Sequence, residues 1–302
     1  MRSIEKVSLI GLGAIGCTYA GRLQDLLGSS FNIIAKDERI IQYKERGFVI
    51  NGRKYDFTYI RPEEECSPDD LVIVSVKSNQ LEEAIKDIKN HVGKDTIIIS
   101  LLNGITSEEN IGRVYGMEKM LYSICIGDSV RKGNVVEFSD VCRICFGERI
   151  NRDYSERVHA VKELFDKAKI PCDIPENMIH SLWKKFMINV GINQASAINR
   201  GTYGTFHVKK ESRELMESAM WEVIRLSEKV GVNLSKEEIN NCYKLLDTVN
   251  PEARTSMCQD IMSGRKTEVD IFAGTVCKLG EEYNIDTPVN RRLFNFIKAI
   301  EQ

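Results

Sequence analysis

Three polar side chains recur at helical spacing in a segment that is otherwise mostly apolar. Lys185, Asn189 and Asn193 stand four residues apart within residues 177–200. An α-helix with this spacing would carry all three side chains on one face. Because buried amide and ammonium groups are costly without partners, that face must meet other polar groups or line a wet cleft.

A lysine in such a cleft suits the reduction of a carbonyl group. Hydride delivered to a carbonyl carbon leaves negative charge on the oxygen, which an ammonium group can stabilise and then protonate. Lys185 would be this general acid, and Asn189 and Asn193 would bind substrate oxygens. The alternative is a polar interface between domains, in which each of these groups is hydrogen-bonded.

A second polar set lies in residues 254–284, which the apolar periodicity predicts as one long amphipathic helix. Ser256, Asp260 and Glu268 are its candidate functional side chains. Acidic side chains on helices are usually solvated. Position alone therefore leaves Glu268 as either a surface carboxylate or a functional one.

A glycine-rich hexapeptide directly follows the first apolar run of the chain. It consists of Gly11, Leu12, Gly13, Ala14, Ile15 and Gly16. In a strand–turn–helix unit the first glycine permits a tight turn, the second lets the backbone approach a pyrophosphate, and the third allows close packing. The helix that follows would add unpaired N–H groups and a positive dipole end. We predict that this turn binds a dinucleotide.

The residue after the second apolar run indicates which nicotinamide cofactor is used. NAD-binding folds place an acidic residue there to hold the ribose 2′-hydroxyl. This chain has Lys36 instead, which favours the 2′-phosphate of NADP(H). Asp37 and Glu38 follow at once, so the alternative is a solvated charge run at the start of a helix.

Two more polar residues follow apolar runs. Lys77 comes after residues 71–76, and Asn103 comes shortly after residues 96–100. Both would lie at the carboxyl end of a parallel sheet, where ligands bind in open α/β folds. Lys77 is thus a candidate cofactor contact, with simple solvation as the alternative.

Alternating elements would position these groups. Short apolar runs predict strands at 7–10, 31–35, 71–76, 96–100 and 120–126, with helices between them at 17–27, 38–47, 80–92 and 107–116. This order predicts an α/β, Rossmann-type domain with a doubly wound parallel sheet. A hairpin is expected around Asn51 and Gly52, more β structure at 134–147, and a helix near 154–169.

The second half of the chain has a different pattern. Helical periodicity covers residues 177–200, 210–230, 236–247, 254–284 and 290–300. We therefore predict two domains, a cofactor-binding domain at 1–174 and an all-α substrate domain at 175–302.

Composition narrows the function classes. Lys and Arg number 42 against 44 Asp and Glu, so no basic excess indicates a nucleic-acid partner. No apolar stretch reaches the roughly 20 residues that span a bilayer, so no membrane association is expected. The nine scattered cysteines suit a reducing cytoplasm and predict no metal site.

Six segments together resemble the ketopantoate reductase family. They are GLGAIG, VKSNQ, LLNGI, LWKKFMINVGIN, TSMCQDI and GRKTEVDIFAG. The last three, in this order, are far more specific than the glycine turn. The resemblance implies a second domain like the C-terminal domain of 6-phosphogluconate dehydrogenase. It also implies NADPH-dependent reduction of 2-dehydropantoate to pantoate, on the route to pantothenate and coenzyme A.

The resemblance also implies roles for residues of the second domain. Lys185 is the expected general acid. Glu268 is expected to orient Lys185, to meet the substrate hydroxyl and to border the cofactor. Asn189, Asn193 and Ser256 would hold the carboxylate and the other oxygens of the substrate.

For the first domain, the resemblance places Asn103 between nicotinamide and substrate and Lys77 along the cofactor. Two positions depart from the family pattern. Lys36 stands where the family often has arginine, and residues 125–129 do not match the small, uncharged pattern expected near the nicotinamide. Asp128 within that segment is expected to alter the pocket.

The sequence is also compatible with two other functions. One is a related NAD(P)-dependent reductase of another branched 2-keto acid, or an opine-type dehydrogenase. The other is a nucleotide sensor without catalysis, which the presence of both Lys185 and Glu268 disfavours. The expected partners are a small 2-keto acid and, in a homodimer, a second copy of the chain.

Overall fold

The computed structural model describes residues 3–127, 129–139 and 141–301. The chain divides into two compact units, Met1–Met178 and Ile179–Gln302. The division falls a short distance beyond the boundary predicted after residue 174.

The first unit alternates strands and helices. In chain order its elements are β1 (Val7–Ile10), α1 (Ala14–Leu27), β2 (Phe31–Ile34), α2 (Asp37–Arg46), β3 (Phe48–Ile50), β4 (Arg53–Tyr55), β5 (Thr58–Ile60), β6 (Leu71–Val74), α3 (Leu81–Asp87), β7 (Ile97–Ser100), α4 (Ser107–Tyr115), β8 (Met120–Ile126), β9 (Ser129–Lys132), β10 (Val135–Phe138), β11 (Arg143–Gly147), α5 (Glu156–Lys167) and β12 (Cys172–Asp173).

The described strands form a main sheet in the order β12-β11-β8-β7-β6-β1-β2-β5. Strands β8, β7, β6, β1, β2 and β5 run parallel, and β11 pairs antiparallel with β8. Each residue of β1, β2, β6 and β7 is buried, as expected for short apolar strands covered on both faces. The predicted Rossmann-type fold is confirmed.

A smaller sheet, in the order β4-β3-β10-β9, packs against α1. The predicted hairpin is present between β3 and β4. Asn51 and Gly52 both have positive φ, at 45° and 78°, as a two-residue hairpin turn of this hand requires. The sequence pattern does not predict β9 or β12.

The second unit contains helices and no strand among its described residues. Its α-helices are α6 (Met178–Ile188), α7 (Gln194–Asn199), α8 (Thr205–Val208), α9 (Lys210–Lys229), α10 (Lys236–Thr248), α11 (Ser256–Met262), α12 (Thr275–Tyr283) and α13 (Pro288–Ile300). Asn189–Asn193 joins α6 to α7 as a π-helical turn, and Asp270–Gly274 precedes α12 as another.

The expectation of one continuous helix at 254–284 is wrong. The first helix of this segment ends at Met262, and Gly264 follows with a φ of +61°. Arg265 closes that end, because its N–H donates to the Asp260 carbonyl at 2.9 Å and its Nε to the Asp260 carboxylate at 2.7 Å. Asp260 therefore terminates a helix and does not sit on the surface of a longer one.

A buried polar network fixes the helices behind α7. Glu222 accepts hydrogen bonds from the backbone N–H groups of Val289 and Asn290, at 2.7 and 2.9 Å, and so caps the start of α13. The Asn290 side chain donates to Glu222 at 2.7 Å, and Gln194 donates to Asn290 at 3.1 Å. This network ties α7, α9 and α13 together.

Within the described ranges, no helix combines the length and the apolar character that crossing a bilayer requires.

Candidate active site

The predicted cofactor residues share one edge of the main sheet. The glycine turn follows β1, Lys36 follows β2, Lys77 follows β6 and Asn103 follows β7. These four strands are neighbours and run parallel, so their carboxyl ends lie side by side. The structure thus brings together, in the first unit, the residues predicted to hold a dinucleotide.

Of the three glycines in this turn, only Gly13 has open space at its Cβ position. A Cβ on Gly11 would lie 2.5 Å from the Ser75 carbonyl oxygen, and Gly11 has a φ of +103°. A Cβ on Gly16 would lie 2.0 Å from the Gly11 carbonyl oxygen. Gly13 is exposed, and its nearest neighbour, the Ser75 oxygen, is 4.0 Å from the Cβ position.

The helix after this turn suits an anion. The first turn of α1 contains no acidic side chain. The N-cap residue is Gly13, so no side chain caps the N–H groups at the start of this helix. Those N–H groups and the helix dipole favour a phosphate. The residues present therefore fit the pyrophosphate of a nicotinamide dinucleotide.

Strand β9 forms hydrogen bonds with the glycine turn. The sequence pattern does not predict this contact. Ser129 donates to the Ala14 carbonyl at 3.1 Å, and Thr18 donates to the same oxygen at 3.0 Å. Arg131 donates to the Leu12 carbonyl and lies over the Phe48 ring at 5.1 Å. The short polar sequence of β9 lacks an apolar run, so no local signal reveals this contact.

Lys36 is exposed and paired with two carboxylates of α3. Its Nζ contacts Glu83 and lies 3.6 Å from Asp87. The hydrogen bond to Glu83 raises the pKa of Lys36 above its ordinary value. Asp37, which weakens the prediction of NADP, is itself paired with Arg61.

The remaining cofactor candidates stay predictions. Lys77 is exposed, and its carbonyl accepts from the Gln80 N–H at 2.9 Å as a single 3₁₀ turn begins. Asn103 is half-buried and precedes Gly104, whose φ is +91°. Asp128, expected to alter the nicotinamide pocket, lies outside the described residues.

A buried carboxyl group lies next to the Asn103 loop. Glu108 is 1% exposed and accepts from the Ser107 hydroxyl at 2.8 Å and from the Ser123 N–H at 3.4 Å. Ser100, the last residue of β7, donates to Ser107 at 2.8 Å. This chain of hydrogen bonds links β7, α4 and β8 on either side of the loop.

The burial of Glu108 predicts a pH-dependent stability. Loss of solvation raises its pKa from 4.5 to about 7. Between these values the folded state holds a proton that the unfolded state releases, so the free energy of unfolding falls as pH rises through this window. The loss amounts to on the order of 3 kcal/mol. Glu108→Gln should flatten this slope in urea denaturation at pH 5 and pH 8.

The exposed neighbour Glu109 supplies the control for this experiment. Glu109→Gln removes the same charge without touching the buried network, and should keep the slope of the unaltered protein. Equal slopes for the Glu108→Gln variant and the unaltered protein would show that Glu108 does not hold the proton.

In the second unit, the polar stripe lies where an α-helix widens. Lys185 is half-buried in the last turn of α6, and Asn189 and Asn193 are the first and last residues of the π-helical turn. The regular α-helical spacing expected from the sequence therefore holds only as far as Asn189. Single π turns inside helices are frequent at functional sites, because they redirect side chains.

Asn189 carries a hydrogen-bond donor on a buried side-chain amide. Its Nδ2 is buried, and no acceptor among the described residues pairs with it. A buried amide without a partner costs about 1–3 kcal/mol. Such an atom fits a ligand oxygen, which would supply the missing acceptor.

Close packing accompanies the π turn. A Cβ on Gly191 would lie 2.5 Å from the Met220 side chain of α9. Only glycine therefore allows this contact without a shift of Met220 or of the helix. Asn193, at the end of the turn, is 8% exposed.

Glu268 lies two residues before the other π-helical turn, Asp270–Gly274. It is half-buried, and its carbonyl accepts from the N–H groups of Ile271 and Phe272, at 3.1 and 3.2 Å. The preceding residue, Thr267, donates its N–H to Glu301 at 2.7 Å. The two π-helical turns pack against each other, and Glu268 lies two residues before the second of them.

Ser256 begins α11 and is exposed. The helix is capped by Thr255, whose Oγ1 accepts from the Cys258 N–H at 3.2 Å. The same oxygen lies 2.6 Å from the hydroxyl of Ser196 on α7. Helix α11 thus packs on α7, and the start of α11 is fixed relative to the polar stripe.

Two family models match the chain. The model described as "Ketopantoate reductase PanE/ApbA" matches residues 7–150, and the one described as "Ketopantoate reductase PanE/ApbA C terminal" matches residues 177–301. The chain belongs to the ketopantoate reductase family. Membership makes it a nicotinamide-dependent oxidoreductase.

Individual members of this family are similar to the chain in sequence and in structure. A 2-dehydropantoate 2-reductase of Streptococcus pyogenes is 25% identical over 301 residues, covering 98% of this chain and 97% of its own. A dimeric ketopantoate reductase from Staphylococcus aureus has a similar structure, with a TM-score of 0.83 at 23% identity over 98% and 99% of the two chains.

A D-mandelate dehydrogenase bound to NADH and anilino(oxo)acetate is also similar. Its TM-score is 0.86 at 23% identity, over 98% of each chain. At such identities the solved structures show the shared fold alone. Within ketopantoate reductases and their structural relatives, substrate and cofactor choice must therefore be argued from the residues of each site.

Proposed function

We propose that the protein reduces 2-dehydropantoate to pantoate with NADPH. The observation that carries this proposal is the buried Nδ2 of Asn189, which has no acceptor within the described ranges. Asn189 lies one turn after Lys185, within the family segment LWKKFMINVGIN. A buried donor beside a lysine suits a substrate that carries both a carboxylate and a keto oxygen.

The first unit would hold the cofactor. The N–H groups at the start of α1 would bind the pyrophosphate above Gly13, and Lys36 would pair with the 2′-phosphate. Lys77 would lie along the cofactor, and Asn103 would contact both the nicotinamide and the substrate. The cofactor, when bound, supplies the hydride.

The second unit would hold and protonate the substrate. Lys185 would donate a hydrogen bond to the keto oxygen, stabilise the negative charge that develops there and then give it a proton. Glu268 would orient the Lys185 ammonium, border the cofactor and accept a hydrogen bond from the substrate hydroxyl. Asn189, Asn193 and Ser256 would bind the carboxylate and the other oxygens.

A related substrate is the second candidate function. The likeness to a D-mandelate dehydrogenase shows that this fold also serves a different 2-hydroxy acid. Lys185 and the asparagines would make the same contacts with the keto and carboxylate oxygens of any 2-keto acid. Discrimination would then rest on groups that meet the rest of the substrate, which include Glu268. We also propose a homodimer, as described for the relative from Staphylococcus aureus.

A substrate panel tests the reaction. Oxidation of NADPH and of NADH would be followed with 2-dehydropantoate, 2-ketoisovalerate, pyruvate and phenylglyoxylate. We expect the highest kcat/KM for 2-dehydropantoate with NADPH, because only this substrate offers a hydroxyl to Glu268. A higher kcat/KM for any other acid would reject the pantoate assignment. Tight NADPH binding with no turnover of any acid would favour a nucleotide sensor.

A further inference from the structure

Lys36 faces an acidic surface of α3. Its Nζ contacts Glu83 and lies 3.6 Å from Asp87. The two acids are four residues apart and therefore share one face of the helix. Side-chain exposure is 50% for Lys36 and 59% for Glu83, whereas Asp87 is 17% exposed.

Other charges also lie near this pair. The hydrogen bond from Lys36 lowers the pKa of Glu83, and the charges of Arg39 and Lys86 lower it further. Asp37, at the start of α2, is paired with Arg61, which also pairs with Glu64 at 2.9 Å. The Lys36 ammonium thus faces the carboxylates of Glu83 and Asp87. Its charge is already offset before any cofactor phosphate arrives.

A 2′-phosphate and a 2′-hydroxyl would meet this arrangement differently. A phosphate that pairs with Lys36 must displace Glu83 from Nζ or share Nζ with it, and like charges in proximity repel. A ribose hydroxyl instead can donate to a carboxylate, as the acidic residue does in folds that bind NAD. Glu83 would therefore weaken the binding of NADPH and could accept a hydrogen bond from the ribose hydroxyl of NADH.

We propose that Glu83 is a cofactor-specificity residue that limits the preference for NADPH over NADH. The carboxylate competes with the 2′-phosphate for Lys36, so the protein binds both cofactors. This inference rests on the proposed role of Lys36 in reading the 2′-phosphate. Asp87 keeps the site acidic when Glu83 moves away.

Binding measurements on Glu83→Gln test the inference. The dissociation constants of NADPH and NADH would be measured without any keto acid, from the fluorescence of the reduced nicotinamide. Removing the carboxylate charge that contacts the ammonium should tighten NADPH binding by roughly five- to tenfold, the effect of one unit charge at about 4 Å in water. NADH should bind equally or more weakly. The kcat/KM ratio for the two cofactors should shift by the same factor.

Glu82→Gln is the matched control. Glu82 is the adjacent residue of α3, is exposed, and carries the same charge. This variant should leave both dissociation constants within twofold. Both side chains are exposed, so both variants should unfold at the temperature of the unaltered protein.

Three results with the variants would overturn the inference. One is an unchanged NADPH affinity in Glu83→Gln, and another is an equal gain for NADPH and NADH. The third is an equal gain in Glu82→Gln, which would indicate a long-range charge effect. Because no keto acid is present, a failure with 2-dehydropantoate leaves the inference intact. Failure of the unaltered protein to bind NADPH would overturn both proposals.

Discussion

Replacing Lys185 with alanine should lower kcat for the keto acid by roughly 10²–10⁴-fold, the usual contribution of a general acid. Without the ammonium, the oxygen that accepts charge during hydride transfer would lose its proposed proton donor and the positive charge beside it. The affinity for NADPH should change little, since the residues that would hold the cofactor phosphates belong to the first unit. Steady-state kinetics and nicotinamide fluorescence would measure the two effects separately.

Lys184 provides the control for this experiment. It is the adjacent lysine of α6, is also half-buried, and points about 100° round the helix. Lys184→Ala removes the same charge and a similar apolar stem, and should retain kcat within a few-fold. If both variants lose turnover equally, or if Lys185→Ala keeps it, the proton donor is another group.

The pH profile adds a second readout for Lys185. A group that donates a proton in the reaction limits kcat on the alkaline side, where it becomes deprotonated. This limb should vanish in the residual activity of Lys185→Ala and persist in Lys184→Ala. A lysine that only positions the substrate would lower kcat without removing the limb.

The fold could be predicted because its strands obey a simple local rule. Strands β1, β2, β6 and β7 are short apolar runs, and such runs at regular intervals with helices between them allow few arrangements. Strands β9 and β12 break this rule. The four residues of β9 alternate between half-buried and exposed, and their pairing with β10 depends on a hairpin rather than on hydrophobicity.

In the helical half, the breaks within helices could not be predicted from the sequence pattern. The π-helical turn at Asn189–Asn193 interrupts a helix whose composition predicts no break. Tertiary packing favours the wider turn, since Gly191 lies directly against Met220 on α9. The end of α11 had a local signal in Gly264, but apolar periodicity on both sides obscured it.

The types and chain positions of the candidate site residues could be predicted from the sequence. The residues that they contact could not. Polar residues that follow buried strands identify the sheet edge, and this places Lys36 and Asn103 from sequence. The partners of these residues come from distant segments. Lys36 meets Glu83, 47 positions later, and Leu12 meets Arg131, 119 positions later. Such pairs arise only when the sheet brings its carboxyl ends together.

Replacing Gly13 with alanine should abolish tight dinucleotide binding and leave the fold intact. Gly13 has a φ of −76° and a ψ of −167°, which alanine adopts without strain. The added Cβ would have only the Ser75 oxygen nearby, at 4.0 Å, so the free energy of unfolding should change by less than about 1 kcal/mol. The methyl group would instead occupy the space that the pyrophosphate needs.

We expect the affinity for both NADPH and NADH to fall at least about 100-fold, since each carries the same pyrophosphate and depends on the N–H groups behind it. Gly16→Ala makes the contrast, because its Cβ would lie 2.0 Å from the Gly11 carbonyl oxygen and the turn itself would have to open. That variant should lose thermal stability as well as binding. If Gly13→Ala still binds either cofactor tightly, the pyrophosphate does not cross this turn, and the roles argued for Lys36 and Glu83 lose their geometric basis.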